Sequence, residues 1–282
     1  MLRAARPGDE AAIEAFLVDH AESSMFLRSN LARHGLSDHT SPNGTAYWWA
    51  GDGAATAVFG LSNAGYAMMQ APGAPPALYD AFAARIAGRT VKGLTGLPEQ
   101  IAATKKALGI AGADYALDHI EPLYRLALDA LRLPPGGGVL RAPVEADRAL
   151  LFRWSRAYAA ELHMSAPDQL DAEAQGRTER ALDGDDVRIL EVGGVPVAMT
   201  ALNARLPDMV QIGGVYTPQD QRGRGHARAA VALHLAALRT EGVSTAILFA
   251  SGPAACRAYE AIGFERIGTY ALSFLSAPVV IG

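Results

Sequence analysis

Cysteine is almost absent from this chain, since Cys256 is its single cysteine among 282 residues. A disulfide framework within the chain and a zinc site built on cysteines are therefore excluded. The sequence also lacks an uninterrupted apolar run near the ~20 residues that a membrane span needs, and residues 1–10 lack the apolar stretch of a signal peptide. We expect a cytoplasmic protein in a reducing compartment, without a membrane partner.

An excess of charge of one sign is also lacking. The chain carries 25 basic and 29 acidic residues, a net charge of -4. This balance does not steer the protein towards nucleic acid, so we expect no nucleic-acid partner. Half of the residues are hydrophobic, which suffices for a sizeable core, and the length suits two modest domains better than one.

Two stretches with the same opening start the two halves of the chain. Residues 2–9 read Leu-Arg-Ala-Ala-Arg-Pro-Gly-Asp, and residues 140–147 read Leu-Arg-Ala-Pro-Val-Glu-Ala-Asp. Each stretch predicts a short strand, a turn and a helix with an acidic first turn. We expect the two helices over residues 11–19 and 148–162, the second with apolar residues at helical spacing.

The parallel between the halves continues through a hairpin and a third strand. Glycine-containing turns predict one hairpin from strands 46–50 and 54–61 and another from strands 187–192 and 195–202. Third strands are predicted over residues 66–70 and 209–216. The shared order favours a duplication over chance resemblance. A cluster of proline and glycine at 133–138 indicates the boundary, so the predicted domains are residues 1–132 and 139–282.

A glycine-rich basic turn follows the third strand of the second half. Residues 222–227 read Arg-Gly-Arg-Gly-His-Ala, and a helix is predicted from His226 to a stop at Gly242. The start of a helix has unpaired N–H groups and partial positive charge, and glycine lets an anion approach closely. Arg222, Arg224 and Arg228 add positive charge. The turn therefore predicts a site for a phosphate or diphosphate.

Two common phosphate motifs do not fit this turn. The dinucleotide fingerprint needs glycine at position 228, which is arginine, and a P-loop needs Gly-Lys-Ser or Gly-Lys-Thr, which the sequence lacks. After its own third strand, the first half has Ala-Pro-Gly-Ala-Pro-Pro at 71–76, without a basic glycine turn. We therefore expect a single phosphate site, in the second half.

Taken with its context, the turn resembles the phosphate motif of the GNAT superfamily of N-acetyltransferases, Gln/Arg-x-x-Gly-x-Gly/Ala. A second block fits that family: 246–250 is similar to its fifth strand, 254–264 to its fourth helix and exit, and 267–275 to its last strand. The resemblance covers about residues 139–275, and over 1–132 it is topological. It implies an α/β (α+β) fold with two GNAT-like domains, each a mixed, mostly antiparallel sheet flanked by helices, the N-terminal copy being degenerate.

The resemblance also implies a cofactor, acetyl-CoA, and roles for particular residues. Tyr259 corresponds to the tyrosine that often protonates the departing CoA thiolate. Main-chain groups at the end of the fourth strand would contact pantetheine, and the amides of the turn would hold the pyrophosphate. The family often has asparagine where this chain has Ser251, which is able to cap the helix or hydrogen-bond instead. The implied cofactor residues are Val215, Tyr216, Thr217, Arg222, Gly223, Arg224, Gly225, His226, Ala227 and Ser251.

The general base is left open by the sequence. Family members often have glutamate on the fourth strand, where this chain has Gln211, Gly213 and Gly214. The alternatives are a water relay or one of four side chains, namely Glu161, His163, Glu191 and Asp208.

The resulting expectation is an acetyl-CoA-dependent N-acetyltransferase that acts on a primary amine, of a small molecule or a peptide, by direct attack. Two alternatives are a non-catalytic acyl-CoA-binding or sensor protein and a GNAT transferase with another acyl donor. We expect no metal site, because the histidines lack metal-ligand spacing. The acceptor, the role of the N-terminal half and the oligomeric state do not follow from the sequence.

Overall fold

The chain divides into two compact units in the computed structural model, which describes residues 1–163 and 166–282. Unit 1 comprises Met1–Glu121 and Thr269–Gly282, and unit 2 comprises Pro122–Gly268. The units differ from the predicted domains at two places, because residues 122–132 belong to unit 2 and residues 269–282 to unit 1. The predicted domains, 1–132 and 139–282, stay a proposal for the extent of the sequence repeat.

Unit 1 alternates helices and strands in the order that the sequence predicts for its first elements. Its last strand begins in unit 1 and ends in unit 2. The elements are β1 (Arg3–Ala4), α1 (Glu10–Val18), α2 (Ala21–His34), β2 (Thr45–Ala50), β3 (Ala57–Ser62), β4 (Tyr66–Gln70), α3 (Pro76–Arg85), β5 (Thr90–Gly96), α4 (Pro98–Ala107) and β6 (Tyr115–Ala127).

Unit 2 repeats this order, and its last strand runs back into unit 1. The elements are β7 (Val139–Arg141), α5 (Arg148–Glu161), α6 (Leu170–Asp183), β8 (Val187–Val192), β9 (Val195–Arg205), β10 (Met209–Tyr216), α7 (His226–Thr240), β11 (Thr245–Phe249), α8 (Pro253–Glu260) and β12 (Glu265–Val280). Within residues 1–163 and 166–282, every helix is too short or too polar to cross a bilayer.

The strands of the two units follow the same order. It is β1-β2-β3-β4-β5-β12 in unit 1 and β7-β8-β9-β10-β11-β6 in unit 2. In each unit one neighbouring pair is parallel, β4 with β5 and β10 with β11, and the other neighbours are antiparallel. Each sheet thus takes its last strand from the other half of the sequence. The predicted fold class, a mixed and mostly antiparallel sheet flanked by helices in each half, is confirmed.

The sheet of unit 2 has a hydrophobic core on each face. Val210 and Ile212 of β10 pack with Leu235 of α7 on one face. Trp154 of α5 packs with Tyr216 on the other face, with their ring centroids 6.1 Å apart. Simple alternation would put residues 210, 212 and 216 on the same face. The strand contacts both layers because its register shifts between Gly213 and Tyr216. This packing places the start of α7 beyond the end of β10.

A buried histidine lies within this packing, on α7. The side chain of His234 is 1% exposed, and its ring nitrogens have no hydrogen-bond partner among the residues that the structure describes. Burial, together with the positive charges of Arg188 and Arg205, lowers the pKa of His234 to about 4. The ring is therefore neutral at pH 7.

Acid is expected to destabilise the fold through His234. Its folded-state pKa lies below the ordinary 6.5, so the unfolded chain binds a proton more readily, and stability falls as the pH drops from 6.5 towards 4. The free energy of unfolding should lose about 2.5 kcal/mol from this group between pH 7.5 and 4.5. Urea unfolding of wild type and His234→Leu at both pH values measures it. An equal loss in the two proteins would contradict the assignment.

Candidate functional site

The parallel strands β10 and β11 separate before β10 ends. The last residue pair that joins them is Ile212 with Leu248, although β10 continues to Tyr216. Gly214 has a φ of +58°, and the register of β10 against β9 shifts between Gly213 and Tyr216. A bulge of this kind bends a strand. The main-chain groups at the end of β10 therefore lie outside the ladder that joins it to β11.

The glycine turn connects β10 to α7 through backbone that favours glycine. Gly223 has a φ of +76° and Gly225 a φ of +82°, both in the left-handed region. A Cβ on Gly223 would meet open space, whereas a Cβ on Gly225 would lie 3.0 Å from Nε of Arg228. Gly223 is thus required by conformation alone, and Gly225 by conformation and close approach together.

The first turn of α7 is not capped by a side chain. Its N-cap residue is Gly225, which has none, and the helix begins at His226. The first N–H groups of a helix lack partners within it and carry partial positive charge. The turn therefore presents main-chain donors of the kind that hold phosphate groups.

A cavity of about 650 Å³ joins these features within unit 2. Five segments enclose it: the end of α5, the end of β10, the glycine turn, the end of β11 and the start of α8. This volume lies in the range of small-molecule sites. The lining residues are Tyr158, Glu161, Leu162, Ile212, Gly213, Gly214, Val215, Tyr216, Thr217, Gln221, Arg222, Gly223, Gly225, His226, Ala227, Arg228, Leu248, Phe249, Ser251, Ala254, Ala255, Arg257, Ala258 and Tyr259.

The cavity brings together all but one of the residues predicted for the site. The exception is Arg224, which is exposed and donates from Nη1 to Oε1 of Gln221 at 3.3 Å. Ser251 lines the cavity but does not cap α8, because the N-cap residue is Gly252 and Pro253 follows it. The residues that the cavity brings together are Val215, Tyr216, Thr217, Arg222, Gly223, Gly225, His226, Ala227, Ser251 and Tyr259.

Tyr259 lies at the junction of the cavity and the core. It belongs to α8, lines the cavity and is 8% exposed. Its ring contacts Phe264 edge to face, with the centroids 6.0 Å apart. The ring is thereby fixed by packing, which is the condition for placing a phenol hydroxyl at a defined position.

The charges of the cavity are mainly positive. Arg222, Arg228 and Arg257 line it, and Glu161 is the only carboxylate among the described lining residues. Nε of Arg228 and Oγ1 of Thr217 are buried without a hydrogen-bond partner in the described part of the chain. Buried polar atoms are normally paired, so these two point to a ligand. The sequence indicates Arg228 as a positive charge, three residues after the N-cap glycine, but not as a site residue.

The four candidate bases occupy different places. Glu161 lines the cavity at the end of α5. His163 is exposed, its backbone is in the left-handed region with a φ of +52°, and it is not among the lining residues. Glu191 accepts a 2.7 Å hydrogen bond from Nε of Arg141, outside the lining. Asp208 precedes β10, roughly 25 Å along the strand from Tyr216. Glu161 is thus the candidate base that the geometry favours.

The corresponding point of unit 1 is filled by its own side chains. Ala71 follows β4, and its N–H donates to Oε1 of Gln100 at 3.0 Å. The hydroxyl of Tyr79 donates to the carbonyl of Ala71 at 3.3 Å. The next helix starts with Pro75 and Pro76, which lack N–H groups. Unit 1 therefore satisfies internally the groups that unit 2 leaves facing a cavity.

Residues 149–264 match the model of the acetyltransferase (GNAT) family. A comparison with curated proteins found no match to this chain. All of the described cavity-lining residues, from Tyr158 at the end of α5 to Tyr259 of α8, fall inside the matched range.

Solved structures extend the similarity to the whole chain. A GCN5-related N-acetyltransferase from Sphaerobacter thermophilus has 17% identity and a TM-score of 0.57, covering 97% of this chain and 94% of that one. A tandem GNAT protein from the clavulanic acid biosynthesis pathway has 16% identity and a TM-score of 0.53, covering 100% and 98%. A Drosophila protein has 11% identity and a TM-score of 0.65, covering 98% of both. At these identities the likeness concerns the fold.

Proposed function

We propose that this protein is an N-acetyltransferase, because residues 149–264 match the model of the GNAT acetyltransferase family and a solved tandem GNAT structure shares the fold of the whole chain. It transfers an acetyl group from acetyl-CoA to a primary amine of a small molecule or a peptide. Acyl transfer is the class of reaction that the family match supports. The observation that carries the finer proposal is the cavity at the glycine turn, with its main-chain donors and with Nε of Arg228, which has no hydrogen-bond partner among the described residues.

The residues at the turn fit a diphosphate. Two left-handed glycines shape the turn, and α7 starts without a capping side chain. Within residues 1–163 and 166–282, the buried Nε of Arg228 has no hydrogen-bond partner. A phosphate group is a strong hydrogen-bond acceptor, and it accepts both from main-chain N–H groups and from guanidinium N–H groups. The amides of residues 222–227 and the side chain of Arg228 would hold the diphosphate of acetyl-CoA.

The gap between β10 and β11 fits the rest of the donor. Main-chain groups of Val215, Tyr216 and Thr217 lie at the end of β10, where the ladder to β11 has ended. An amide-containing arm such as pantetheine is able to pair with an unladdered strand, in the manner of an added strand. This arm would direct the acyl end towards Tyr259 and the end of α5.

The cavity lining includes a phenol and a carboxylate that would serve as the acid and the base. Acetyl-CoA would bring an activated thioester, whose C–S bond breaks as the amine nitrogen bonds to the carbonyl carbon. Tyr259 would donate its phenolic proton to the departing sulfur, and Glu161 would take a proton from the amine, directly or through water. A second tyrosine of the lining, Tyr216, has its pKa raised by burial and, to a lesser extent, by the charge of Glu161. The hydroxyl of Tyr216 therefore stays protonated at neutral pH.

Binding and turnover are expected to separate this proposal from its alternatives. Calorimetry should give saturation at one CoA per chain, because unit 1 fills its own counterpart of the site. Acetyl-CoA should then release thiol in the presence of amines from a panel that includes an alkylamine, an amino sugar and a lysine peptide. Absence of saturable CoA binding would contradict the proposal.

The same measurements identify the second candidate function. A non-catalytic acyl-CoA-binding protein would bind CoA and acetyl-CoA but release no thiol with any amine. The absence of a carboxylate from β10, Met209–Tyr216, is the observation that favours it. Release of thiol with propionyl-CoA but not acetyl-CoA would indicate another acyl donor instead.

A further inference from the structure

Thr217 carries a buried hydroxyl group at the wall of the cavity. The residue directly follows β10 and lines the cavity. Its Oγ1 is buried and has no hydrogen-bond partner in the part of the chain that the structure describes. A hydroxyl that is unpaired and shielded from water destabilises a protein, because it has lost its hydrogen bonds to solvent. Since buried polar atoms are normally paired, this hydroxyl on a cavity wall indicates that a ligand supplies its partner.

The backbone of Thr217 is tied to the glycine turn. Its carbonyl oxygen accepts a 2.9 Å hydrogen bond from Nε of Arg222, five residues later. This bond holds Thr217 beside the turn as well as at the end of β10. The first turn of α7 carries Arg228, whose buried Nε also has no partner among the described residues and would lie 3.0 Å from a Cβ on Gly225. Two buried donors that need a ligand therefore border the same turn.

Unit 1 offers an internal comparison for this position. The residue that directly follows β4 is Ala71, which has no hydroxyl. Its N–H donates to Oε1 of Gln100, and its carbonyl oxygen accepts from the hydroxyl of Tyr79. The unit whose own side chains fill this position thus has alanine there, whereas the unit that encloses the cavity has threonine.

We propose that the hydroxyl of Thr217 binds the diphosphate of the acyl donor, by donating one hydrogen bond to a phosphate oxygen. This inference rests on the proposed function and adds a side-chain hydroxyl to its main-chain donors and Arg228. An ionised phosphate oxygen strengthens such a bond, whereas the amides of a pantetheine arm are neutral. The hydroxyl therefore lowers the stability of the empty protein and raises its affinity for the donor.

Thr217→Val separates these two effects, because valine keeps the branched shape of the side chain and removes the hydroxyl. The empty variant should melt about 2 °C higher than wild type. Its affinity for CoA, measured by calorimetry, should fall about tenfold. Its affinity for adenosine diphosphate, which has the diphosphate without the pantetheine arm, should fall by the same factor. Thr217→Ser keeps the hydroxyl and should bind CoA within about threefold of wild type.

Thr200→Val is the matched control within the same unit. Oγ1 of Thr200, on β9, is likewise buried without a hydrogen-bond partner among the described residues, but Thr200 is not one of the described lining residues. This variant should also melt higher than wild type, because it loses a hydroxyl of the same kind. Its affinity for CoA should be unchanged.

Three results would overturn the inference while leaving the proposed function intact. They are a lower melting temperature for empty Thr217→Val, a CoA affinity within twofold of wild type in that variant, and a loss of CoA affinity that adenosine diphosphate does not share. The first would show that the hydroxyl already has a partner in the empty protein, and the third would place it on the pantetheine arm. If wild type itself fails to bind CoA, the proposed function is wrong.

Discussion

Gly225→Val is expected to weaken CoA binding by about a hundredfold, equivalent to about 2.7 kcal/mol. Valine at a φ of +82° is strained, and its Cβ would lie 3.0 Å from Nε of Arg228. The backbone strain is relieved if the turn changes conformation, which redirects the first amides of α7. The close contact is relieved if the side chain of Arg228 moves. Either change removes donors from the diphosphate. Calorimetric titration of CoA into the variant measures the loss.

The fold is expected to survive this change. α7 is held by its buried face, which includes Val231, Leu235 and Leu238, and not by its first residue. Gly242→Val is the matched control: its φ is +99° and a Cβ there meets nothing within 4 Å, so it imposes backbone strain on the same helix without touching the cavity. Equal CoA affinity in the Gly225 variant and wild type would contradict the diphosphate site.

Tyr259→Phe is expected to lower kcat by about a hundredfold or more while the affinity for CoA stays within a factor of two. The substitution keeps the ring, which packs against Phe264, and removes the hydroxyl that would protonate the departing thiolate. Loss of a positioned general acid typically costs 10²- to 10⁴-fold in rate. Thiol release from acetyl-CoA at saturating amine, with calorimetry for binding, measures both effects.

Tyr124→Phe controls for the loss of a buried hydroxyl near α8. The hydroxyl of Tyr124 donates to Oε1 of Glu260 at 2.7 Å, but Tyr124 does not line the cavity. Its burial, followed by the hydrogen bond with Glu260, raises the pKa of Tyr124 well above its usual range, so the phenol stays protonated. A kcat within threefold of wild type in Tyr259→Phe would exclude the acid role. A fall confined to Tyr259→Phe supports it.

The strands and the helix around the turn could be predicted because their signals are local. Strands 66–70 and 209–216 agree with β4 and β10 at both ends, and the helix from His226 agrees with α7. Runs of β-formers bounded by turn residues, and a glycine turn before an alanine- and leucine-rich segment, fix these elements without tertiary information. The phosphate-binding turn could be predicted for the same reason, because its glycines and arginines are adjacent in the sequence.

Helix α6 was not predicted from the sequence, because its buried face has only one large apolar side chain. The buried residues of α6 are Leu170, Ala174, Thr178 and Ala181, so small and polar side chains replace the expected stripe. The buried face of α2 includes two serines and an arginine, and that arginine, Arg28, pairs with a glutamate of α1. Tertiary contacts, which a hydrophobic pattern does not record, stabilise these helices.

The parts of the site that the sequence could not give depend on distant contacts. Nη2 of Arg222 contacts Oε2 of Glu161, which is 61 residues earlier in the chain. That Nε of Arg228 has no hydrogen-bond partner in the described part of the chain follows only from its three-dimensional surroundings. The last strand shows the same limit. It was predicted to end at 275, but β12 continues to Val280, because Val279 and Val280 pair with β5, in the first half of the sequence. Its partner therefore determines its length.

The origin of that last strand has a consequence for synthesis on the ribosome. The sheet of unit 1 includes residues 269–280 of β12, which pairs with β5. When only residues 1–132 have left the ribosome, the edge of β5 that pairs with β12 is therefore still open. Open edges invite pairing with foreign strands. The sheet of the N-terminal half therefore stays incomplete until residues 269–280 have been synthesised. A gene cut at 133–138 would yield two fragments that are each missing a strand the other encodes.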